Sequence, residues 1–373
     1  MLRQAAAAAL VIAQVACATS PPPATYNHDL IESVHAAVPE SWRTASMLTP
    51  DVNPLETSEE LKAFVRKHAA GKASAKERML ALAKAVFSPD GLALTYNESA
   101  TYTAAEAFAM AHGNCMGFSN LMVAAARELD ISADYELMSN YSGWQRQGDL
   151  LVRTMHVRVV SQIRDQKLVF DFFPDPVSPG SWSRPLDDSQ ALAHHLNNLG
   201  AEYMQNHDLQ QAYGYLHKAL KTSPGLSFLW SNLGALLSRQ NMTAFAEASY
   251  KEAMRLDPDQ LTAVSNLHRL YERTGQDTLA AALAAQVTSY RERNPFYHFW
   301  LAEQAYENDQ HETAEKHYRR AIKLKNDERI FYVGLARAYY KQNKILAARK
   351  AINKSHRLFS READTVTVRP RRR

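Results

Sequence analysis

Cysteine is nearly absent from this chain: there are two in 373 residues, Cys17 and Cys115. A disulfide-built scaffold is therefore excluded. No C-x-x-C or H-E-x-x-H spacing occurs, so a metal site has no support, and no glycine-rich nucleotide loop is present. No cofactor is expected. Beyond the first residues, no apolar run is long enough to cross a bilayer. Charge is not lopsided: 43 Lys and Arg against 39 Asp and Glu give a formal +4, of which the terminal Arg-Pro-Arg-Arg-Arg supplies four. No basic stripe with interleaved aromatics stands out, so no nucleic-acid partner is expected. The arginine-rich end is expected to be a frayed, solvated tail.

What is present begins with an export pattern. Arg3 supplies a positive start, and residues 5–13 form a short apolar run. The run closes on Gln-Val-Ala-Cys, which looks like a bacterial lipobox ending at Cys17. Conventional cleavage after Ala16-Cys17-Ala18 is the competing route. The lipobox is preferred because Cys17 ends the apolar run where such a signal needs it. The expectation is an exported, periplasmic protein anchored to the outer membrane by lipid on Cys17 alone. With Cys17 acylated or removed, Cys115 is the single thiol of the mature chain and a candidate reactive one.

The length allows two domains. The second half is periodic. A repeat of 34 residues runs over 193–362, with units starting at 193, 227, 261, 295 and 329. The seventh position is Leu in all five units (Leu199, Leu233, Leu267, Leu301, Leu335). The twentieth is always Ala (Ala212, Ala246, Ala280, Ala314, Ala348), and the eighth is small in four (Gly200, Gly234, Ala302, Ala336). This pattern resembles the tetratricopeptide repeat. The resemblance implies two antiparallel helices per unit, with small residues where the two approach and Leu and Tyr filling the gap to the next unit. The aromatic run "FYHFW" (296–300) is expected to be core between repeats. The array is expected either to hold a protein or peptide partner in its groove or to act as a scaffold. His194 and His195, just before it, are expected to lie at the solvated start of a helix.

The first half differs. Three capping-box pairs, Thr57 with Glu60, Ser74 with Glu77 and Thr103 with Glu106, predict three helix starts. After residue 130 come strand-like runs, "ADYELM", "LLVRTMHVRVVSQI" and "KLVFDFF". Helices followed by strands predict an α+β unit with an antiparallel sheet. The expected divisions are a signal over 1–20, a tether and N-terminal segment over 21–55, the α+β domain over 56–192, the five repeats over 193–362 and the basic tail over 363–373.

Cys115 lies in "HGNCMGF", before an apolar stretch that predicts a helix over about 115–129. A thiolate there faces the positive helix end and its free amides, which lower its pKa and can stabilise an oxyanion. Gly113 and Gly117 are expected to give a tight turn and close backbone approach. A nucleophile needs a base, and His156 begins a strand candidate. The base needs an orienting group, and Asp171 ends the next one; a hairpin between the two would bring them side by side. The stretch "GNCMGFSNLMVAAARELDISADYEL", with "HVRV" and "VFDFFPDP", resembles the transglutaminase-like fold, a branch of the papain-like cysteine enzymes. The longer stretch from "TYTAAEAFAMAHGNCMGFSN" through "GDLLV" to "HVRV" also resembles a bacterial exported lipoprotein subgroup in which this core is followed by tetratricopeptide repeats.

The fold class implied is an α+β transglutaminase-like (papain-like) core followed by an all-α tetratricopeptide-repeat solenoid. The resemblance implies Cys115 as nucleophile, His156 as base and Asp171 as orienter in acyl transfer on peptide or amide bonds, with water or an amine as acceptor. Asn114 and Trp144 are candidate second oxyanion donors. His112 competes with His156, and Asp175 with Asp171. The alternative function is an envelope scaffold whose core domain binds without turnover.

Overall fold

The computed structural model describes residues 27–97, 99–139, 144–147, 150–153, 156–172, 182–258, 260–359 and 365–368. Cys17, Asp175 and residues 369–373 lie outside them.

The described residues open with a helical hairpin, α1 (His28–Ala37) and α2 (Glu40–Leu48). Asn27 caps α1 through the Leu30 amide, and Pro39 breaks the chain before α2. This stretch lies within the expected tether and N-terminal segment, and it is packed. Ile31, Val34, Val38 and Trp42 are buried in the same cluster as the first repeats. Trp42 lies 5.5 Å from the Tyr213 ring, and Lys218 Nζ donates to Thr49 O at 2.7 Å. The backbones come so close that a Cβ on Gly214 would stand 2.1 Å from Thr49 Oγ1.

The α+β unit follows. Its helices are α3 (Glu59–Val65), α4 (Ala75–Phe87), α5 (Ala104–Met110) and α6 (Cys115–Arg127). The capping boxes at Ser74–Glu77 and Thr103–Glu106 both form. The first helix is instead capped by Ser58, one residue past Thr57, and runs into a π-helical turn over Arg66–Ala70. A short parallel ribbon joins β1 (Thr95–Tyr96) to β2 (His112–Gly113). The other strands are β3 (Asp134–Ser139), β4 (Trp144–Gln147), β5 (Leu150–Arg153), β6 (His156–Ile163), β7 (Gln166–Phe170), β8 (Trp182–Leu186) and β9 (Thr365–Val368). The main sheet has the order β8-β3-β6-β7-β9, and β4 and β5 form a separate antiparallel ribbon. Pairing within the main sheet is antiparallel except for β7 with β9.

The arginine-rich end expected to fray lies outside the described residues, while part of the stretch expected as a basic tail is a strand, with Thr365–Val368 running alongside Lys167–Phe170. Their β-branched Thr-Val-Thr-Val sequence suits an edge strand. On α6 nearly every residue is buried, because the sheet, α3, α4 and α5 enclose it. Glu136 of β3 ties the neighbouring strands together, accepting from Arg158 on β6, Lys167 on β7 and Ser183 on β8.

Five helix pairs complete the chain: α7 (Asp188–Gln205) with α8 (Leu209–Thr222), α9 (Ser227–Arg239) with α10 (Thr243–Leu256), α11 (Leu261–Arg273) with α12 (Asp277–Arg293), α13 (Pro295–Glu307) with α14 (His311–Leu324), and α15 (Arg329–Lys341) with α16 (Ile345–Phe359). The second helices start 34 residues apart throughout, the period of the sequence. All five signature alanines are buried. Phe296 and Phe299 pack on Phe331 of the next pair, each at 5.3 Å, as expected of core between repeats. Trp300 in the same run faces outward, 42% exposed.

Among the described residues no helix is long and apolar enough to cross a membrane. The small eighth position has a steric reason: a Cβ on Gly234 would stand 2.7 Å from the Tyr250 ring. Gly234→Ala should therefore destabilise the array by about 1–3 kcal/mol, read as a lower thermal unfolding midpoint. An unchanged midpoint would mean that the Tyr250 ring moves aside freely.

Candidate active site

Cys115 is the first residue of α6, and the chain is turned sharply to put it there. After α5 the backbone reverses at Ala111, which takes φ 52° in the left-handed region. This differs from the expectation that glycine makes the turn. A Cβ on Gly113 would meet nothing within 3.7 Å and one on Gly117 nothing within 3.4 Å. Neither glycine has positive φ, so the strain sits on Ala111.

Asn114 then caps the helix. Its Oδ1 accepts from the Met116 and Gly117 amides, each at 3.0 Å, and its Nδ2 donates to Thr101 Oγ1 at 2.7 Å. The side chain expected as a second oxyanion donor is thus committed to holding the helix start. The cap takes the second and third amides of α6. The Cys115 amide is left beside its own sulfur, because the first helical amides have no acceptor within the helix. Cys115 forms no disulfide, and the residue is part-buried.

His156 and Asp171 come from the β6–β7 hairpin and its end. Val159 pairs with Phe170 and Ile163 with Gln166. Extending that register sets Asp171 opposite Arg158, diagonal to His156, within reach of a long side chain. His156 Nε2 and Asp171 Oδ1 are 2.6 Å apart, and Asp171 is 0% exposed. The other imidazole nitrogen is left for the Cys115 thiol, which is hydrogen-bonded to His156 and to the Val157 backbone. Ser119, one turn into α6, donates to Val157 O at 3.4 Å and joins helix to strand. A stack of Phe118 on Phe172 at 4.9 Å, with Phe87 beside both, pins the chain next to Asp171 against α6. The structure therefore brings Cys115, His156 and Asp171 into one hydrogen-bonded series.

Burial opposes charge at both reacting groups, and the neighbours override it. Burial pushes the Cys115 thiol up, but the bond to His156 and its positive charge bring it below the ordinary value. Burial pushes His156 down, but its bonds to Asp171 and to Cys115 raise it to about 9. Both shifts favour thiolate with imidazolium at neutral pH.

The remaining candidates fall elsewhere. His112 stacks tilted on Tyr102 at 5.4 Å, with its Nδ1 buried and unbonded among the described residues. Trp144 lies in β4, with its side chain outside the described atoms. His194 and His195 are not at a solvated helix start: they are 4% and 1% exposed, inside α7. The helix begins five residues before the 34-residue phase does, which carries both histidines inward. Burial lowers His194 to about 3 and His195 to about 4, so both are neutral. His195 Nδ1 meets Asn120 Nδ2 at 3.1 Å, and Tyr135 OH donates to Asn120 Oδ1 at 2.9 Å. The sequence did carry a signal for this buried network. Asn120 is a polar side chain inside an apolar helix, and such a group must find partners. Among the described residues no group of three or more His, Cys, Asp or Glu is gathered as a metal site requires.

The α+β part of this architecture matches a known superfamily. The transglutaminase-like superfamily matches residues 62–168. The chain carries a transglutaminase-like domain followed by tetratricopeptide-type repeats. It is also similar to the mouse (Mus musculus) protein O-mannosyl-transferase TMTC3, 27% identical over 188 residues, covering 46% of this chain and 20% of that protein. The chain thus spans about a fifth of the length of that curated relative. Among solved structures, MamA of Desulfovibrio magneticus RS-1 matches at 15% identity and TM-score 0.26, covering 45% of this chain and 96% of that one. PilF of Pseudomonas aeruginosa matches at 17% identity and TM-score 0.27, covering 46% of this chain and 78% of that one.

The direction of the two shifts sets a pH window. Iodoacetamide alkylation of Cys115 should rise through a midpoint below the free-thiol value of about 8.5. The thiolate–imidazolium pair should then persist until His156 loses its proton near pH 9. His156→Ala removes what lowers the thiol and leaves the burial that raises it, so alkylation at pH 7 should fall at least about tenfold. A pH profile unchanged in that variant would disprove the pairing.

Proposed function

We propose that the protein is a cysteine-dependent hydrolase or acyltransferase acting on peptide or amide bonds. Cys115 is the nucleophile, His156 the base and then the acid, and Asp171 the orienting group. The single observation that carries this reading is the buried Asp171–His156 bond continued to a thiol at a helix N-terminus.

The thiolate attacks the substrate carbonyl, and the oxygen takes the electron pair beside the Cys115 amide. The C–N bond breaks as the His156 imidazolium gives its proton to the departing amine, leaving a thioester on Cys115. Water or an amine then attacks the thioester while His156 accepts its proton. The C–S bond breaks, releasing an acid or a new amide and restoring the thiolate–imidazolium pair. Asp171 holds the imidazole ring and stabilises its charged form throughout. The repeats supply a surface for a protein partner, which places a large substrate beside the thiol.

The reading includes location: an exported protein held at the outer membrane, on its periplasmic face, by lipid on Cys17. The support for it is the short apolar run ending at that cysteine.

Two experiments test these readings. Cys115→Ala should abolish amide cleavage or transfer on a peptide panel, and Asp171→Ala should lower it by about 10³–10⁴-fold with the fold retained; full activity in either would refute the enzyme reading. Cys17→Ser should end incorporation of labelled palmitate and release the protein from membranes; undiminished labelling would refute the anchor.

A further inference from the structure

The α7 helix belongs to the repeats, yet three of its residues reach into the transglutaminase-like unit. Asp188 holds the Arg127 guanidinium through two bonds of 2.8 Å. His195 meets Asn120, as described above. Glu202 Oε1 accepts from the Thr101 hydroxyl at 2.5 Å and the Thr101 amide at 3.2 Å, and Thr101 in turn accepts from Asn114. The three α7 residues are seven apart and therefore share one face. Their counterparts on α6 descend in step, Arg127, then Asn120, then the cap at Asn114. Two helices of opposite chain sense are thus held by a ladder of polar rungs, and the last rung is at Cys115.

Glu202 also departs from the repeat pattern. At its position the second, third and fifth units bury Leu236, Leu270 and Ala338. The first unit instead carries a part-buried carboxylate that, among the described residues, makes no ion pair. Such a group is unfavourable in a helix interface unless its hydrogen bonds are needed. The same holds for His195, where the corresponding Leu229, Ala263 and Phe331 are buried. Packing of the solenoid explains neither residue. Contact with the neighbouring domain explains both.

We infer that Glu202 is a positioning residue for Cys115, acting through Thr101 and Asn114 on the start of α6. The inference rests on the cysteine chemistry proposed above. The Thr101 hydroxyl has one proton. With Glu202 accepting it, the oxygen lone pair is left for Asn114 Nδ2, and Asn114 Oδ1 is aimed at the Met116 and Gly117 amides. Remove the acceptor, and that proton can be satisfied at Asn114 if the amide rotates to turn Oδ1 towards Thr101. The cap then loses hold of two amides, the first turn of α6 loosens, and the thiol and its adjacent amide lose their alignment. The repeats thereby set the geometry of the nucleophile without touching it.

The test is the pH profile of Cys115 alkylation by iodoacetamide in the full chain, alongside thermal unfolding. Glu202→Leu removes the acceptor and supplies the side chain that two other units bury at this place, so the fold should hold, with the unfolding midpoint lowered only by the hydrogen bonds lost at Thr101. Its thiol midpoint should nevertheless move up by about one pH unit and its rate at pH 7 fall about tenfold. Thr101→Val should do the same. Glu202→Gln keeps an accepting oxygen and should stay within about twofold of the unmodified chain. A Glu202→Leu profile that superimposes on the parent, with the parent thiol reactive and dependent on His156, would overturn the inference alone. A parent thiol that is sluggish and indifferent to His156→Ala would overturn the cysteine chemistry and this inference with it.

Discussion

Asp171 is withdrawn from water, and its carboxylate is tolerable there because His156 faces it at 2.6 Å. An unpaired charge at that depth would cost several kcal/mol, so the two residues must arrive together. Most of the domain serves that condition. The β6–β7 hairpin fixes their separation, and the Phe87–Phe118–Phe172 stack presses the chain beside Asp171 onto α6. The same helix offers its N-terminus to the far side of the imidazole. One buried pair thus links sheet, helix and thiol, and the perturbed acidities of Cys115 and His156 follow from the linkage rather than from either residue alone.

The boundary between the two architectures is less a linker than a shared helix. The α7 helix turns the repeat's small position, Gly200, towards Ala212 and Leu216 of α8, while Asp188, His195 and Glu202 serve the α+β unit. A solenoid unit normally contacts only its neighbours. Here the first unit has a neighbour of another kind, and its sequence departs from the period at the places where the two meet.

Much of this was legible in the sequence, and the limits of legibility are physical. Local rules revealed the caps at Ser74 and Thr103, the strands rich in β-branched residues, and the 34-residue period with its buried alanines. The Cys115 helix start and the His156 and Asp171 strands could be named because a nucleophile, base and orienter obey short geometric rules, and the structure brings the three side chains together. Contacts between distant segments had no such rule. Nothing in "HDLIESVHAA" says that it lies on a helix 180 residues later. Likewise, nothing in "TVTV" names β7 as its neighbour. His194 and His195 looked solvent-facing because polarity was read without the helix that buries them. Asn114 looked like a catalytic donor because a cap and an oxyanion donor share the same side-chain chemistry.

The helical hairpin at the N-terminus has a consequence for the order in which the molecule assembles. During synthesis, α1 and α2 emerge before the α+β unit, but the surface that buries Ile31, Val34 and Trp42 belongs to α8 and its neighbours, which follow strands β1 to β8. Asn27 closes onto Glu252 across 225 residues of chain. Closing so long a loop adds an entropic cost that grows only slowly with length, but it delays the contact. The apolar hairpin must wait uncovered until α8 is made, and its docking closes the loop onto the first repeats. Once clasped, the transglutaminase-like unit is a closed excursion from a helical body, held at both its ends by the repeats.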